Sequence, residues 1–163
     1  MRKIVFVGCG IAVALVASCS NGPDTGKVAD DATAAMEGAI AGFNAHDAAK
    51  ATAIDAPGYI GMFHGMNNTS GIAQNLALTK KRVSDPAAKV EAVSPEVNVS
   101  TSGDMAVWNA TYAYTHTDPV TKAAAVEHGN WVVVFRRQPD ASLKATLGVI
   151  SDTAPAKAAP PPV

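Results

Sequence analysis

The second half of the chain has the pattern of long β-strands separated only by short turns. Four segments carry this pattern: about 88–101, 104–117, 124–137 and 142–151. Ser102-Gly103-Asp104 is a turn signal between the first two segments, and Pro139-Asp140 lies between the last two. Consecutive strands joined in this way pair antiparallel, so the sequence predicts a four-stranded meander with an apolar face that another layer must cover.

The first half of the chain supplies the covering layer, beginning with one long amphipathic helix over 27–44. Its apolar residues recur every three to four positions, as one helical face requires. These residues are Val28, Ala32, Met36, Ile40 and Phe43. Asp47 is the predicted N-cap of a short second helix over 48–54, which Pro57-Gly58 ends.

A short strand and a third helix complete the predicted elements. Tyr59 to His64 is the predicted strand, and Ser70 is a predicted cap for the helix. Ile72, Leu76 and Val83 would share one face of that helix, which Asp85-Pro86 closes. Lys80-Lys81-Arg82 is interpreted as its solvated face. Helices followed by a meander indicate an α+β fold.

The N-terminus predicts export and lipid attachment. Met1-Arg2-Lys3 precedes an uncharged apolar run over 4–17, which is typical of a signal peptide over 1–18 and too short for a comfortable membrane span. Val16-Ala17-Ser18-Cys19 resembles the bacterial lipobox. That resemblance implies acylation of Cys19, attachment to the bilayer, and a periplasmic position at the outer membrane, because Ser20 and not aspartate follows. An uncleaved anchor helix is the alternative.

The remaining boundaries and the charge follow from this prediction. Residues 19–26 are the acylated cysteine and a polar tether, 27–153 the folded domain, and 154–163 a disordered Pro/Ala-rich tail. Cleavage would remove Cys9, Arg2 and Lys3, leaving 11 basic against 14 acidic residues, a net charge of about −3. A disulfide, a cysteine nucleophile and a nucleic-acid-binding face are therefore not expected.

Several short motifs, taken in order, resemble one superfamily over roughly 30–152. They are Phe43-Asn44-Ala45-His46-Asp47, Gly65 with Gly71, Ser102-Gly103-Asp104-Met105-Ala106, Gly129-Asn130-Trp131 leading into Val132–Arg137, and Ile150-Ser151-Asp152. Their order is similar to that of the nuclear transport factor 2-like superfamily, in its SnoaL-like, ketosteroid-isomerase-related branch. The resemblance implies a curved antiparallel sheet wrapped round helices, a conical cavity for an apolar ligand, and a homodimer formed through the sheet.

The candidate cavity residues come from strand alternation and from residue chemistry. Along 104–117 one face carries Trp108, Tyr112 and His116, and the neighbouring strand places Trp131 on its face with Glu127. Tyr59 and His64 belong to the predicted strand over 59–64 and would lie at the cavity mouth. Aromatic residues offer apolar area together with polar atoms that orient a ligand. The alternative is that these side chains only fill the core.

The sequence does not assign catalytic residues. Ketosteroid isomerisation requires a carboxylate base beside a tyrosine and a protonated acid. Asp47 is explained as an N-cap and Asp55 as an exposed or turn residue, and the four histidines lack metal-ligand spacing. The leading hypothesis is therefore a non-catalytic binder of a small apolar ligand or partner protein. The alternative is an isomerase or dehydratase using His64 or His116 with Tyr59 or Tyr112. Neither hypothesis requires a cofactor or a metal.

Overall fold

The structure, a computed structural model, describes residues 23–153. The predicted signal peptide, Cys19 and the tail over 154–163 lie outside these residues. Residues 23–153 form three helices: α1 (Thr25–Asn44), α2 (Ala48–Ala51) and α3 (Gly71–Val83). The same residues form six strands: β1 (Asp55–Phe63), β2 (Thr69–Ser70), β3 (Lys89–Val99), β4 (Met105–Thr117), β5 (Ala124–Arg137) and β6 (Leu143–Asp152).

The strands form one curled, open sheet in the order β2-β1-β6-β5-β4-β3. The predicted meander is confirmed as the antiparallel series β3 to β6, and β1 adds to β6 in parallel. The sheet wraps round α1, so the predicted α+β fold is confirmed. Among the described residues, no helix is long and apolar enough to cross a membrane.

Two helix starts follow from side-chain caps. The Asp24 carboxylate accepts from the Lys27 amide at 2.9 Å, so α1 begins inside the predicted tether. The Asp47 carboxylate accepts from the Lys50 amide at 3.0 Å, which confirms its N-cap role. The side chain of Ser70, in contrast, makes no cap hydrogen bond.

The Phe43-Asn44-Ala45-His46-Asp47 motif ties the helices to the edge of the sheet. The Asn44 side chain bonds both backbone groups of Val90 in β3, at 2.9 and 2.8 Å. His46 has a φ of 58°, and its Nδ1 donates to the Val83 carbonyl at 2.6 Å. These contacts hold the end of α1 against β3 and α3.

Three predicted features of the first half are wrong. Asp55 is not exposed: it opens β1 and is only 6% accessible. The second helix ends at Ala51 and not at 54, and Pro57-Gly58, predicted to end it, is a bulge within β1. The buried residues of α3 are Asn75, Thr79 and Val83, while Ile72 is 40% exposed. Polar side chains occupy this face because it does not pack on a closed core.

Candidate functional site

A cavity of about 100 Å³ lies between the helices and the concave face of the sheet. Its apolar wall comes mainly from α1, α3, β5 and β6: Ala39, Phe43, Leu78, Trp131, Val133 and Ile150. Polar side chains from α3, β1 and β4 also reach it: Asn75, Thr79, Arg82, Asp55, Tyr59, Tyr112 and Tyr114. The arrangement suits a small ligand that is mostly apolar and carries polar groups.

Three of the six predicted cavity residues line this space. They are Tyr59, Tyr112 and Trp131. Tyr59 and Tyr112 are almost fully buried, and Trp131 is partly buried against the core. Strand alternation placed Tyr112 and Trp131 on the inner face. The bulged strand β1 turns Tyr59 toward the same space.

The other three predicted residues lie elsewhere. Trp108 is 2% exposed beneath Trp131, packed edge-to-face with ring centroids 5.3 Å apart, so it belongs to the closed core. His116 stacks on the outer side of Tyr114 with centroids 5.2 Å apart. His64 follows the end of β1, where it is exposed and contacts carboxylates and not the cavity.

Asp55 is the buried carboxyl group of the site. The Asn75 amide donates to its Oδ2 at 2.7 Å, while Oδ1 has no hydrogen-bond partner within 23–153. Burial raises the pKa of Asp55 to about 6, against the opposing effects of the Asn75 hydrogen bond and the charge of Lys144. A carboxylate with such a pKa can accept a proton and return it near neutral pH.

Tyr59 lies along the sheet because residue 148 has no side chain. A Cβ at Gly148 would collide with the Tyr59 hydroxyl. That hydroxyl makes no hydrogen bond to another residue of the described domain, so it is available to a ligand. Burial and the nearby Asp55 charge raise the pKa of Tyr59, which keeps the phenol protonated as a donor.

Tyr112 begins a polar network that connects the cavity wall to the surface. Its hydroxyl donates to Glu127 Oε1. His64 lies between two carboxylates, with Nε2 at 3.4 Å from Glu127 Oε1 and Nδ1 at 3.2 Å from Asp152 Oδ2. Burial, followed by the hydrogen bond to Glu127, raises the pKa of Tyr112.

The sequence analysis interpreted Lys80-Lys81-Arg82 as a solvated face, but Arg82 does not belong to it. Lys80 and Lys81 are exposed, but the Arg82 side chain is partly buried and lines the cavity. Its guanidinium carbon lies 5.2 Å from the ring centroid of Phe63 and 5.1 Å from that of Tyr114. The helical period carries residue 82 onto the same side as Asn75 and Thr79.

Comparisons with known proteins identify the fold. No protein-family model and no curated protein matches the chain. A nuclear transport factor 2-like superfamily protein from Salmonella enterica serovar Typhimurium aligns with a TM-score of 0.68 at 13% identity, over 82% of this chain and 96% of that one. The described domain has the nuclear transport factor 2-like fold.

Two further structures agree with this assignment of a nuclear transport factor 2-like fold. A ketosteroid isomerase-like protein from Erwinia carotovora atroseptica aligns with a TM-score of 0.65 at 19% identity, over 78% of this chain and 97% of that one. A nuclear transport factor 2-like protein with a cystatin-like fold from Novosphingobium aromaticivorans gives 0.63 at 14% identity, over 80% and 84%.

Several polar residues of this nuclear transport factor 2-like cavity were missed by sequence reasoning, among them Asp55, Asn75, Thr79 and Arg82. Three of them lie on α3, at spacings of four and three residues, which places them on one helical side. This polar stripe in the sequence could have indicated that α3 turns polar side chains toward a cavity. Within the described part of the chain, no group of three or more His, Cys, Asp or Glu residues is arranged to hold a metal ion.

Proposed function

We propose that the domain binds a small, largely apolar molecule in its cavity. The observation that carries this proposal is the hollow between helices and sheet, which aromatic and aliphatic side chains line on one side and polar groups on the other. Its volume of about 100 Å³ is somewhat below the roughly 150 Å³ of an engineered apolar cavity that binds benzene. The enclosed part of the ligand is therefore no larger than one aromatic ring, and the remainder of a molecule such as benzamide would extend through the mouth.

Native mass spectrometry of the protein isolated from its own cells tests this proposal, together with a nuclear magnetic resonance titration with benzamide. We expect a retained small molecule or saturable shifts at cavity residues. Ala39→Leu should abolish both because the larger side chain fills the cavity from α1. Ala34→Leu, on the exposed side of the same helix, is the matched control. Absence of both signals in the wild type would refute the proposal.

A second candidate function, acid–base catalysis, is favoured by Asp55. Asp55 is 6% accessible, and burial raises its pKa to about 6. Within 23–153 neither its Oδ1 nor the hydroxyl of Tyr59, which lines the same cavity, has a hydrogen-bond partner. The histidines considered as bases do not line the cavity, so Asp55 with Tyr59 replaces them. The name of the ketosteroid isomerase-like structure is compatible with proton transfer, but a shared fold does not establish a reaction.

The isomerisation of 3-cyclopenten-1-one to its conjugated isomer tests catalysis with a substrate that fits the cavity. Asp55 would take a proton from the carbon between the carbonyl and the alkene and return it to the far alkene carbon. Tyr59 would donate a hydrogen bond to the developing enolate oxygen. We expect enone absorbance to rise faster with wild type than with Asp55→Asn, and Asp47→Asn to behave as wild type. Equal rates for wild type and buffer would leave only the binding function.

We further propose that the domain is anchored to a membrane through acylated Cys19, on the periplasmic side of the outer membrane. The support is the lipobox-like Val16-Ala17-Ser18-Cys19 and the apolar run before it. Labelling of cells with a radioactive fatty acid should mark the wild type and not Cys19→Ala. The variant should also leave the membrane fraction. Labelling of the variant would contradict the proposal.

A homodimer formed through the outer face of the sheet is also proposed. A shallow groove there is lined by Val93, Val107 and Val132, and Val93 is 50% exposed. Light scattering coupled to size exclusion should give twice the chain mass for the wild type. Thr111→Arg, in the same groove, should halve it. A monomeric wild type would leave the groove free for a different protein partner.

A further inference from the structure

Arg82 brings a positive charge to the cavity without a charged partner from the described domain. Its guanidinium forms neither a hydrogen bond nor an ion pair with another residue within 23–153. The Phe63 and Tyr114 rings, at 5.2 and 5.1 Å, hold it by cation–π contact. Ring contacts fix the guanidinium plane while leaving its N–H groups at the edges free to donate.

The charge of Arg82 acts on the interior of the cavity. Burial raises the pKa values of Tyr59, Tyr112 and Tyr114, and Arg82 acts in the opposite direction on all three. Arg82 therefore makes the potential around these hydroxyls more positive. This contribution of Arg82 favours a negatively charged ligand atom, while the charges of Asp55, Asp85, Glu127 and Asp152 act against it.

The carboxylates near this end of the cavity already have partners. Asp85 accepts from the Thr117 amide at 2.6 Å and from its hydroxyl at 2.8 Å. Glu127 is engaged by Tyr112 and His64, and Asp152 by His64. None of them is within ion-pair distance of Arg82, so the guanidinium is left for a ligand.

We propose that the ligand of the cavity is a small carboxylic acid whose carboxylate pairs with Arg82. The inference rests on the proposed binding function and adds the chemical class of the ligand. The planar guanidinium fork matches a carboxylate, and such charge-assisted pairs are stronger than neutral hydrogen bonds. Among residues 23–153, Arg82 is the unpaired cation of the site, and Glu127 and Asp152 lie nearby. A single negative charge suits this arrangement better than a divalent phosphate does.

The apolar body of this acid would extend away from Arg82, into the hollow between Trp131, Val133 and Leu78. Asp55 and Tyr59 line the same cavity and would contact other parts of the ligand. The site therefore distinguishes ligands by charge at Arg82 and by shape among the apolar side chains.

Benzoate and benzamide test the inference because they have nearly the same shape and differ in charge. Titration of the full-length protein, followed by nuclear magnetic resonance shifts of the Trp131 indole N–H, gives both dissociation constants. We expect wild type to bind benzoate about ten- to hundredfold more tightly, the range of a hydrogen bond to a charged group. The preference should weaken as salt is added.

Arg82→Met should remove the preference, since methionine keeps an unbranched stem and aromatic contacts without the charge. The readout is the ratio of the two dissociation constants, because the substitution also changes a cavity wall that both ligands contact. Lys81→Met is the matched control because it removes the same charge from the exposed side of α3. It should retain the preference for benzoate.

The outcomes separate the inference from the proposed function. Equal binding of benzoate and benzamide to the wild type would overturn the inference and leave the binding function intact. Binding of neither would overturn both. A preference that survives in Arg82→Met would also reject Arg82 as its source. Should that variant not fold, the wild-type ratio and its salt dependence still decide the matter.

Discussion

The two ends of the interior share the same strands but differ in what fills them. Around Trp108, Phe135 and Met36 the space is closed, and each side chain is at most 2% exposed. Around Asp55, Tyr59 and Arg82 the space is hollow and partly polar. Val133 and Ala145 border both ends. The sheet alone therefore does not determine whether its concave face becomes a core or a site.

The difference comes from the elements that cover the sheet. The first turns of α1 bring Val28 and Ala32 into the buried cluster that contains Trp108 and Phe135, where they fill the space. At the other end α3 brings Asn75 and Thr79, whose polar groups do not fill an apolar gap. One sheet therefore carries a closed apolar core at one end and a partly polar hollow at the other.

The largest expected effect on stability comes from a substitution in the closed end. Trp108→Ala should lower the free energy of unfolding by about 3–5 kcal/mol, because a large aromatic side chain leaves a cavity that the neighbouring residues cannot refill. Chemical denaturation measures the change. Val126→Ala, at a residue 55% exposed, should change stability by less than about 0.5 kcal/mol. Similar losses for both variants would contradict the assignment of the core.

A substitution that fills the hollow end should lower the free energy of unfolding by less than Trp108→Ala does. Gly148→Ala places a Cβ against the Tyr59 hydroxyl and should destabilise the domain by about 1–3 kcal/mol, as other overpacking changes do. Benzamide binding should weaken as Tyr59 is displaced. Gly38→Ala is the control: nothing lies within 4 Å of its added Cβ, and it should stabilise α1 by about 0.5–1 kcal/mol. Gly148→Ala with wild-type stability would mean that Tyr59 moves freely.

A pH series distinguishes the buried acid from an exposed one. The folded state raises the pKa of Asp55 to about 6, so its stabilising contribution is complete below about pH 4 and is lost as pH rises through 6. Asp55→Asn should therefore match wild type at pH 4 and exceed its unfolding free energy by about 1–2 kcal/mol at pH 7.5, since water at the mouth screens part of the charge.

Asp85 should show the opposite pH dependence of the unfolding free energy in the same experiment. Hydrogen bonds from Thr117 and from the Ala87 amide hold the pKa of Asp85 below its usual range. Its contribution is present above the unfolded pKa and is lost as pH falls through the folded one. Asp85→Asn should be less stable than wild type at neutral pH, and the gap should close in acid. Parallel pH profiles for the two variants would exclude a special environment for Asp55.

The closed end was predictable from the sequence, and the hollow end only in part. Alternation along 104–117 and 124–137 grouped Trp108 with Tyr112 on one face and placed Trp131 on the face of Glu127. The period of α1 grouped Val28, Ala32 and Met36 on one face, which is buried. These patterns are local and repeat many times. Their consequence, a buried apolar layer, does not depend on what lies opposite.

Asp55 was missed because its burial depends on distant segments. Pro57-Gly58 has the composition of a turn, but pairing of β1 with β6 makes it a bulge. The partner of Asp55 is Asn75 on α3, 20 positions away. Similarly, Arg82 follows two exposed lysines, and only the packing of α3 separates it from them. A sequence pattern does not contain these contacts.

The smallest expected effect concerns two tyrosine hydroxyls of the same cavity. Tyr112→Phe removes the hydroxyl that donates to Glu127 and should cost about 1 kcal/mol of unfolding free energy. Tyr59→Phe should change stability by less than about 0.5 kcal/mol, because its hydroxyl bonds no other described residue, but it should weaken binding of a ligand that accepts from it. Thermal unfolding and benzamide titration measure both properties. If Tyr59→Phe loses as much stability as Tyr112→Phe, the Tyr59 hydroxyl stabilises the folded state. The contrast between a closed, stabilising end and a hollow end would then not hold for these two hydroxyls.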